Sequence, residues 1–542
     1  MYYNKLSPRQ ISIILYILSL ISWSCFIVSA ELIIGKYGLI HSMGVYFFLS
    51  VILSIFSILI SLKYDSINSF FSMQILLLYA ILYVTPYFLE KTASFTYSYL
   101  VYGYMEYILR MGYINPQILP YQNWPGIMFF GAFFTQISDL GRSQFLVIYP
   151  IALKIISLIL IYYIYYMLSK NKLVARVGIL VYLLGDWTAH QYYTPPSFSI
   201  VLYMLSLFLI SGSLFIKGKN SYQWRILILL ASCSMIITHL LSSIILFLLA
   251  FASSIYAKLS NKMSIGNLFF VILIILFAWN ILQVGDYFTV QFTGAFSNFN
   301  NAKEIVESTE RSSLGTPEAH VNVMHFKILY LAIFSVLATL SIIYSIIDKQ
   351  RRKSQNITIL IAFLFSITII TPLSVGSYGG EILSRAFGYD AVLLAFLIAC
   401  NWDVKIFNIL IIMFLIISPF FFIICSYGNE VIDYVSPQEI AGVDYYYSSN
   451  FDRGPILSIG ERIWSSRYIE ETRWKRLYID NPLNSTRFVE KNQGYVAFYD
   501  RSIEGYEFFV EPIDEFSIKN ILNYKYHNIY SSAGFDLFKV SG

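Results

Sequence analysis

The sequence predicts a mainly α-helical, polytopic membrane protein with a small C-terminal extracellular α/β domain. Of the 542 residues, 57% are hydrophobic and 13% are charged, and the mean hydropathy is +0.62. Soluble domains carry roughly 25% charged residues. Apolar stretches of about 18 residues or more, long enough to cross a bilayer as a helix, recur along the chain. After residue 436 charges of both signs return and are nearly balanced, and a separate domain is expected there.

About thirteen transmembrane helices are predicted from these apolar stretches. The predicted spans lie near residues 11–34, 44–62, 73–90, 145–168, 174–187, 197–216, 225–238, 241–257, 266–284, 326–347, 356–373, 386–400 and 406–427. The first two spans form an extra pair within residues 1–72, and the other spans form a core over residues 73–430.

The orientation follows from basic residues in short loops, because cytoplasmic loops carry an excess of Lys and Arg. Such residues precede the first predicted span and lie in every second loop after it: Lys5, Arg9, Lys63, Lys170, Lys172, Arg176, Lys217, Lys219, Arg225, Lys258, Lys262, Lys349, Arg351, Arg352, Lys353 and Lys405. They predict a cytoplasmic amino terminus and an extracellular C-terminal domain in the cell membrane. The net charge of +5 comes from these loops and does not indicate a nucleic-acid partner.

The C-terminal domain, residues 436–542, is predicted to be a compact α/β unit. Short runs rich in β-branched and aromatic residues predict strands at 455–459, 476–479, 494–499 and 506–510. The final segment, 528–540, predicts a hairpin that turns at Ser532-Ala533-Gly534.

The predicted outer loop at residues 91–142 is the leading candidate for a functional segment. It is too polar and too interrupted to cross a bilayer, and it is rich in aromatic residues. Irregular backbone near lipid must be buried by protein or line a cavity. The pattern predicts an interfacial helix over 96–111. Its polar side carries Ser98, Tyr102, Glu106 and Arg110 at four-residue steps. A second, more apolar helix is expected to begin near Pro125.

Ionisable side chains are also expected at the outer ends of other spans, where they are costly unless hydrated or paired. Asp186 and His190 lie at the outer end of the fifth predicted span, and His239 lies where two short spans meet. Arg385 stands beside Glu381 at the outer end of the twelfth predicted span. Arginine binds phosphate well through its planar guanidinium, although a local ion pair with Glu381 is the alternative interpretation.

Several segments, taken in their order along the chain, resemble GT-C membrane glycosyltransferases of the archaeal type. The segments are ILRMG at 108–112, Tyr121 before Asn123-Trp124-Pro125-Gly126, YYTPPSFSIVLYML at 192–205, THLLS around His239, Arg385, and the closing segment 528–540. The resemblance covers about residues 73–542 and implies a GT-C-like arrangement of the transmembrane helices.

The resemblance implies transfer of a sugar from a polyprenyl-phosphate donor to a glycan, lipid or protein acceptor outside the cell. It implies that six side chains on the outer face bind substrate: Trp124, His190, Tyr192, Tyr193, His239 and Arg385. No nucleotide is required, and no metal ligand is identified. A divalent cation stays open as a cofactor.

The sequence departs from this family at its usual outer-loop acid. An aspartate or glutamate is expected early in the loop, where Thr96 or Ser98 stands here. A hydroxyl is a poor substitute for a carboxylate base, so the flanking carboxylates Glu90 and Glu106 are the candidate catalytic residues. Two alternatives stay open: a non-catalytic GT-C-like protein that anchors or assembles cell-surface components, and a transporter. Transporters usually show internal repeats and charges near mid-membrane, which the sequence does not suggest.

The predicted orientation can be tested by cysteine labelling of intact cells. A membrane-impermeant reagent should modify a cysteine placed within 485–535 and spare one placed within 349–353, because only the first stretch is expected outside. The natural cysteines all lie in predicted spans and would be replaced by serine: Cys25, Cys233, Cys400 and Cys425. The reverse labelling pattern would contradict the orientation.

Overall fold

The computed structural model describes most of a helical membrane body and part of a C-terminal sheet. The described residues are 6–64, 68–116, 120–187, 192–215, 221–259, 267–285, 318–348, 381–429, 434–448, 456–459, 474–477, 495–499, 522–524, 526–532 and 535–539. The helices among them are α1 (Pro8–Ser29), α2 (Val45–Tyr64), α3 (Asn68–Tyr79), α4 (Thr85–Glu90), α5 (Thr96–Met111), α6 (Gly126–Ser138), α7 (Arg142–Ser169), α8 (Lys172–Gly185), α9 (Pro195–Phe215), α10 (Ser221–Ile236), α11 (Leu240–Leu259), α12 (Leu268–Trp279), α13 (Glu318–Ile347), α14 (Glu381–Ala399), α15 (Lys405–Tyr427) and α16 (Pro437–Ser448).

Eight helices in the described residues are long and apolar enough to cross a membrane, so the chain is a multi-pass membrane protein. They are α1, α2, the helix Ser69–Glu90 that joins α3 to α4 through a π-helical turn, α7, α9, α11, α13 and α15. The shorter helices α8, α10, α12 and α14 coincide with further predicted spans. The predicted span 356–373 lies outside the described residues. The prediction of a mainly α-helical polytopic protein is confirmed.

Helices α1 and α2 pack through a row of serines. Ser12 Oγ donates to the Ser57 carbonyl oxygen at 2.8 Å, and Ser57 Oγ donates to the Ser12 carbonyl oxygen at 2.7 Å. Further along, Ser19 Oγ donates to the Ser50 carbonyl oxygen at 2.7 Å. Lipid tails are as apolar as leucine, so membrane helices associate through close packing and hydrogen bonds, and small residues permit both. The serines therefore attach α1, which is otherwise mostly exposed, to the rest of the body.

Helix α8 ends inside the bundle. Its 14 residues extend about 21 Å at 1.5 Å per residue, less than a hydrocarbon core of about 30 Å. The end of a helix leaves its last carbonyl groups without partners in the helix. Here the Leu183 and Leu184 carbonyl oxygens accept hydrogen bonds from the hydroxyls of Tyr83, at 2.6 Å, and Tyr330, at 2.5 Å. The irregular segment after Gly185 thus begins where protein buries it.

A buried ion pair holds the end of α8 to α7. Lys154 Nζ lies 3.1 Å from Asp186 Oδ2, and the two side chains are 7% and 0% exposed. The ammonium group also lies 4.7 Å from the ring centroid of Tyr182 and 5.0 Å from that of Tyr83. Aromatic faces and the C-terminal end of a helix both attract a cation. The pair therefore fixes the point at which the chain leaves α8.

The described C-terminal strands form one five-stranded sheet in the order β2-β1-β3-β5-β4. They are β1 (Ile456–Ile459), β2 (Trp474–Leu477), β3 (Tyr495–Tyr499), β4 (His527–Ser532) and β5 (Phe535–Lys539). β1 pairs in parallel with β2 and β3, whereas β5 pairs antiparallel with β3 and β4. The predicted small α/β domain and its closing hairpin are confirmed.

The first three observed strands lie close to their predicted positions, and one of them is shifted by two residues. β1 and β3 coincide with the predicted runs, and β2 begins two residues before the predicted run 476–479. The predicted strand 506–510 lies outside the described residues. Helix α16 packs on the sheet, where Tyr445 stacks on Tyr530 with ring centroids 4.6 Å apart. This helix therefore connects the sheet to the end of α15.

The Lys154–Asp186 pair predicts opposite effects of single and double substitutions. Lys154→Met leaves the Asp186 carboxylate uncompensated and should destabilise the protein by about 3–5 kcal/mol, while Lys154→Met with Asp186→Leu should recover most of the loss. Thermal unfolding in one detergent measures both variants. The control is Lys36→Met, because the Lys36–Glu318 pair, at 3.5 Å, is 57% and 80% exposed and should contribute at most about 1 kcal/mol. Equal unfolding temperatures for the two single variants would contradict the expectation.

Candidate functional site

Helices α5 and α6 pack on one end of the bundle, which we call the loop face and which the sequence predicts to be outside the cell. The Gly126 N–H donates to the Ile237 carbonyl oxygen at 2.8 Å, and the Trp279 indole N–H donates to the Asn123 carbonyl oxygen at 3.1 Å. A Cβ at Gly126 would lie 2.2 Å from Thr238 Oγ1 and 3.1 Å from the Ile237 carbonyl oxygen. The glycine thus permits the start of α6 to dock on the turn before α11.

Helix α5 is buried more completely than its sequence pattern indicates. Ser98 and Tyr102, on the side predicted to be polar, are 0% and 6% exposed. That side opens only near the C-terminal end of the helix, where Glu106 is half-buried and Arg110 is exposed. Helices α6 and α7 pack against α5, and Tyr102 contacts Phe145 of α7 with ring centroids 5.8 Å apart.

The three aromatic residues predicted to bind substrate lie at different depths. Tyr193 is fully buried, and its hydroxyl donates to the Ile127 carbonyl oxygen at 2.9 Å, which holds α6 on the bundle. Trp124 is 8% exposed. Tyr192 is half-buried and stacks on Phe95 with ring centroids 4.3 Å apart. Tyr192 is therefore the most accessible of the three, and the binding roles of all three stay predictions.

The backbone from Lys91 to Phe95 has unusual torsion angles. Lys91 has a φ of 58°, and Phe95 has a φ of 70° and a ψ of 107°. A bulky residue with positive φ is strained by roughly 1–3 kcal/mol, and such strain persists only where neighbouring contacts hold it. One such contact is the Thr92 hydroxyl, which donates to the Val435 carbonyl oxygen at 2.6 Å. Because strained backbone clusters at functional sites, this segment belongs to the candidate site.

Glu90, one of the two predicted catalytic carboxylates, lies directly before the strained segment and is 1% exposed. Ser94 Oγ donates to Glu90 Oε2 at 2.6 Å. The Ala93 N–H donates to the hydroxyl oxygen of Tyr99 at 3.1 Å. Glu90 is thus enclosed by protein, and a substrate hydroxyl could reach it only if this segment moved.

Several nearby groups shift the pKa of the Tyr99 hydroxyl. Burial raises the pKa of the Tyr99 hydroxyl, while the Ala93 N–H and the guanidinium of Arg142 oppose this rise. Glu90 and Glu439 raise the Tyr99 pKa further. Tyr99 therefore feels the charges of carboxylates from two segments and of an arginine, and its raised pKa keeps the hydroxyl neutral at physiological pH.

Arg142, at the start of α7, connects this group of charges to the C-terminal domain. Its guanidinium forms an ion pair with Asp444 of α16, and the two side chains are 15% and 51% exposed. Burial raises the pKa of Tyr102 to about 12, Glu106 adds to the rise and Arg142 opposes it. We call these residues together the loop-face cluster: Glu90, Tyr99, Tyr102, Glu106, Arg142, Glu439 and Asp444. The described residues contain no group of three or more His, Cys, Asp or Glu that could hold a metal ion.

Three cations near the candidate site were missed by the sequence analysis. Arg142 could have been found, because a basic residue at the outer end of a span is disfavoured and so suggests a role. Lys154 and Lys327 lie within spans, where an ionisable group is a functional candidate by default. Lys327 Nζ lies 5.6 Å from the ring centroid of Trp187, in the segment that follows α8. Hydropathy averaged over a span conceals such single charges.

Of the remaining predicted site residues, His239 also lies on the loop face, whereas the side chains of Arg385 and His190 lie outside the described part of the structure. His239 is half-buried in the turn between α10 and α11, and its Nδ1 lies 2.8 Å from Ser242 Oγ. Arg385 lies near the start of α14, but its side chain is outside the described part of the structure, as is all of His190. The described residues therefore bring His239, Tyr192 and the loop-face cluster to one end of the bundle, and the pairing of Arg385 stays a prediction.

A groove of about 400 Å³ lies between α13 and α15. Its lining is almost entirely apolar and includes Tyr330, Val336, Leu340, Met413 and Phe421. Tyr330 is one helical turn from Lys327, so one end of the groove approaches a cation. An apolar channel beside a positive charge has the character of a binding site for an amphiphilic anion.

The chain has the GT-C fold, as a comparison with solved structures shows. ArnT from Cupriavidus metallidurans bound to undecaprenyl phosphate is similar over 82% of this chain and 94% of its own, with a TM-score of 0.50 and 9% sequence identity. The Archaeoglobus fulgidus oligosaccharyltransferase tethered with an acceptor peptide matches over 83% of this chain and 70% of its own, with a TM-score of 0.47 and 11% identity. No protein-family model and no curated protein matches the sequence.

The predicted GT-C class is therefore confirmed at the level of the fold, on the similarity to ArnT. The archaeal type that the sequence motifs resemble stays a prediction. A sequence identity of 9% transfers the fold and leaves the substrate and the residue roles to be argued from this chain.

The docking of α6 predicts a sharp contrast between two glycine substitutions. Gly126→Ala should push α6 away from the turn at Thr238, weaken the docking by roughly 1–3 kcal/mol and speed hydrogen exchange of the α6 amides. Gly44→Ala is the control, because a Cβ at Gly44 meets nothing within 4 Å. Hydrogen exchange followed by mass spectrometry measures both variants. Equal protection of α6 in the two would show that Gly126 is not needed for close docking.

Proposed function

We propose that this protein transfers a sugar from a polyprenyl-phosphate donor to an acceptor at the loop face of the membrane. The GT-C fold, similar to ArnT over most of both chains, is the observation that carries this proposal. The loop-face cluster supports it with carboxylates and an arginine, and the groove between α13 and α15 supports it with an apolar channel that begins one helical turn from Lys327. Fold alone does not define a reaction, so these local features are needed.

The donor lipid fits the groove between α13 and α15 by its chemistry. Its isoprenoid chain matches the apolar lining, and its phosphate would lie near Lys327, one turn from Tyr330. Arg385, predicted to bind phosphate from the sequence, is the second candidate for this charge. The ArnT structure contains undecaprenyl phosphate, a lipid of the same class, which supports this choice of donor.

The proposed reaction needs a base for the acceptor hydroxyl. The hydroxyl oxygen would bond to the anomeric carbon as the bond from that carbon to the phosphate oxygen breaks, and the polyprenyl phosphate would leave with the electron pair. The hydroxyl proton would pass to a carboxylate within about 3 Å, directly or through one water. Glu106 is half-buried and Glu90 is 1% exposed, so Glu106 can meet a substrate without movement of the strained segment.

The same geometry supports a second candidate function. Glu90 is enclosed, and Thr96 or Ser98 stands where the family usually has its acid. A GT-C-like protein without a competent base would bind lipid-linked or surface components and would not transfer sugar. The enclosed state of Glu90 is the observation that favours this alternative. A transporter stays the third hypothesis from the sequence.

Transfer by the purified protein in lipid nanodiscs tests these functions. Wild type should transfer sugar from a polyprenyl-phosphate donor, and Glu106→Gln should lower kcat by roughly 10²- to 10⁴-fold, the usual loss for a general base. The kcat of Glu90→Gln, measured in the same assay, decides which of the two carboxylates is the base. Asp139→Asn is the control, because Asp139 is exposed on the loop face at the end of α6 and should keep full activity.

Four outcomes distinguish the hypotheses. A large loss confined to Glu106→Gln assigns the base, and a loss confined to Glu90→Gln assigns it to the enclosed carboxylate. Full rate in both single variants and in the double variant would exclude both residues. If wild type transfers nothing from any donor tested, the non-catalytic alternative becomes the better account.

A further inference from the structure

Three amide side chains near the loop face have buried atoms that lack hydrogen-bond partners among the described residues. The atoms are Gln122 Nε2, Asn123 Oδ1 and Asn280 Oδ1, and the three residues are 0%, 4% and 1% exposed. We call these residues together the amide site. Burying a polar atom without a partner is costly, and each such atom in a native protein needs an explanation. A ligand that supplies the partners is one explanation.

The amide site is formed by two turns that are in contact with each other. Asn123 ends the 3₁₀ turn Pro120–Asn123, before α6, and Asn280 begins the π-helical turn Asn280–Val284, after α12. The Trp279 indole N–H donates to the Asn123 carbonyl oxygen at 3.1 Å and so joins the two turns. Single π-helical turns are uncommon and occur frequently at functional sites. The backbone after α12 is therefore unusual at the same place as the unpaired amide.

Hydrogen bonds fix the orientation of two of the three amides. The Asn115 N–H donates to Gln122 Oε1 at 2.6 Å, so the unpaired atom of Gln122 is the nitrogen with its two hydrogens. Asn280 Nδ2 donates to the Leu276 carbonyl oxygen at 2.8 Å, so the unpaired atom of Asn280 is the oxygen. The nitrogen and oxygen of an amide are assigned from such bonds. Gln122 therefore offers a donor and Asn280 offers an acceptor, whereas no hydrogen bond within the described residues fixes the Asn123 amide.

This combination of a donor and an acceptor selects the chemistry of the ligand. A hydroxyl group donates one hydrogen and accepts through its oxygen, so neighbouring sugar hydroxyls satisfy a donor and an acceptor together. A phosphodiester only accepts, and it would leave the Asn280 oxygen unpaired. A metal cation would bind the Asn280 oxygen and repel the amide hydrogens of Gln122. The amide site therefore fits an uncharged ligand with several hydroxyl groups.

We propose that the amide site binds a sugar ring, with Gln122 donating to a sugar oxygen and Asn280 accepting from a sugar hydroxyl. The inference deepens the proposed function and rests on it for the substrate, because that function needs a sugar and leaves its recognition unassigned. The ring belongs either to the polyprenyl-phosphate donor or to a glycan acceptor, since both carry such hydroxyls. A site built to bind a hydroxyl selects against an analogue that lacks it, because its own polar atoms then stay unpaired.

The amide site lies where α6 docks on the bundle, and it is closed. The Gly126 N–H, three residues after Asn123, donates to the Ile237 carbonyl oxygen in the turn before α11. A closed site keeps water away from an activated sugar, which prevents its hydrolysis. For a sugar to enter, Asn123 must move away from Asn280, and the hydrogen bond from the Trp279 indole must break. The turn before α6 is therefore expected to open for the substrate.

Thermal unfolding without substrate distinguishes a ligand site from a structural hydrogen bond. Asn280→Leu removes the unpaired oxygen at similar volume, and the Leu276 carbonyl oxygen keeps the backbone N–H of residue 280 as its donor. The unfolding temperature in nanodiscs should therefore stay equal or rise. Asn401→Leu is the matched control and should unfold at a lower temperature. Asn401 is 0% exposed, and its amide donates to the Ser341 carbonyl oxygen at 3.1 Å and to the Leu397 carbonyl oxygen at 3.2 Å.

A fall in unfolding temperature for Asn280→Leu as large as that for Asn401→Leu would overturn the inference. It would mean that the Asn280 oxygen has a partner without substrate, such as a buried water, and serves the fold.

Binding measures the recognition itself. The full chain in nanodiscs is titrated with undecaprenyl phosphate carrying glucose, galactose, mannose or N-acetylglucosamine, with the bare lipid, and with the methyl glycosides of the same sugars. Wild type should bind at least one of these sugars. Asn280→Leu should weaken that binding by roughly three- to tenfold, the loss of one hydrogen bond, whereas Asn401→Leu should bind it as wild type does. The bare lipid should bind equally to all three proteins.

The two sets of probes separate the sources of the sugar. An effect of Asn280→Leu on the lipid-linked sugars assigns the amide site to the donor, and an effect on the methyl glycosides assigns it to the acceptor. If no binding in either set depends on Asn280, the inference is wrong. Sugar binding without any transfer would refute the proposed function and leave the amide site in place.

Deoxygenated sugars test the same contact from the side of the ligand. Removal of the contacted hydroxyl from the best-bound sugar should weaken binding to wild type. The same removal should have no further effect on Asn280→Leu, because the partner of that hydroxyl is already absent. Equal losses in the two proteins for every hydroxyl would show that the sugar binds elsewhere and would overturn the inference.

Discussion

The end of α8 depends on the buried ion pair between Lys154 and Asp186. Helix α8 is too short to cross the bilayer, so its end and the segment that follows must be held inside the protein. Two tyrosine hydroxyls bind its last carbonyl groups, and the ion pair fixes Asp186 at the exit. Further along the same connection, Tyr193 binds the first turn of α6, and α6 in turn docks on the turn that contains Thr238. The ion pair at Asp186 and the contacts of Tyr193 and Gly126 thus each hold irregular backbone against the bundle.

The C-terminal domain is attached to the same face through α16. Asp444 pairs with Arg142 at the start of α7, and Tyr445 stacks on the sheet through Tyr530. Arg142 is also the cation whose field reaches Tyr99 and Tyr102. One side chain therefore offsets the carboxylates of the loop-face cluster and contacts the helix that leads into the sheet. The Asp444 side of this ion pair is 51% exposed, which weakens the pair, so stacking and packing of α16 are expected to provide most of the attachment.

Local sequence patterns were sufficient to predict the membrane class, the spans within the described residues and the closing hairpin. Long apolar runs mark the spans, and short β-rich runs around a turn mark the hairpin. The burial of individual side chains could not be predicted from such local patterns. Tyr193 has the sequence context of an exposed loop aromatic and is fully buried, since its neighbours in space come from α6. Lys154 and Lys327 each lie in an apolar span, where the averaged hydropathy conceals a single charge. The amide site joins a turn before α6 to a turn after α12, which no spacing along one segment reveals.

The positive φ of Phe95 has a consequence for the additivity of substitutions around it. The torsion angle is unfavourable, and it is held by the stack with Tyr192 together with the hydrogen bonds of Thr92, Ala93 and Ser94. Loss of one contact lets the backbone relax, and the relief of strain then lowers the effect of losing the next. Free-energy changes in this short segment are therefore coupled, and a pair of substitutions there is expected to cost less than the sum of the two single ones.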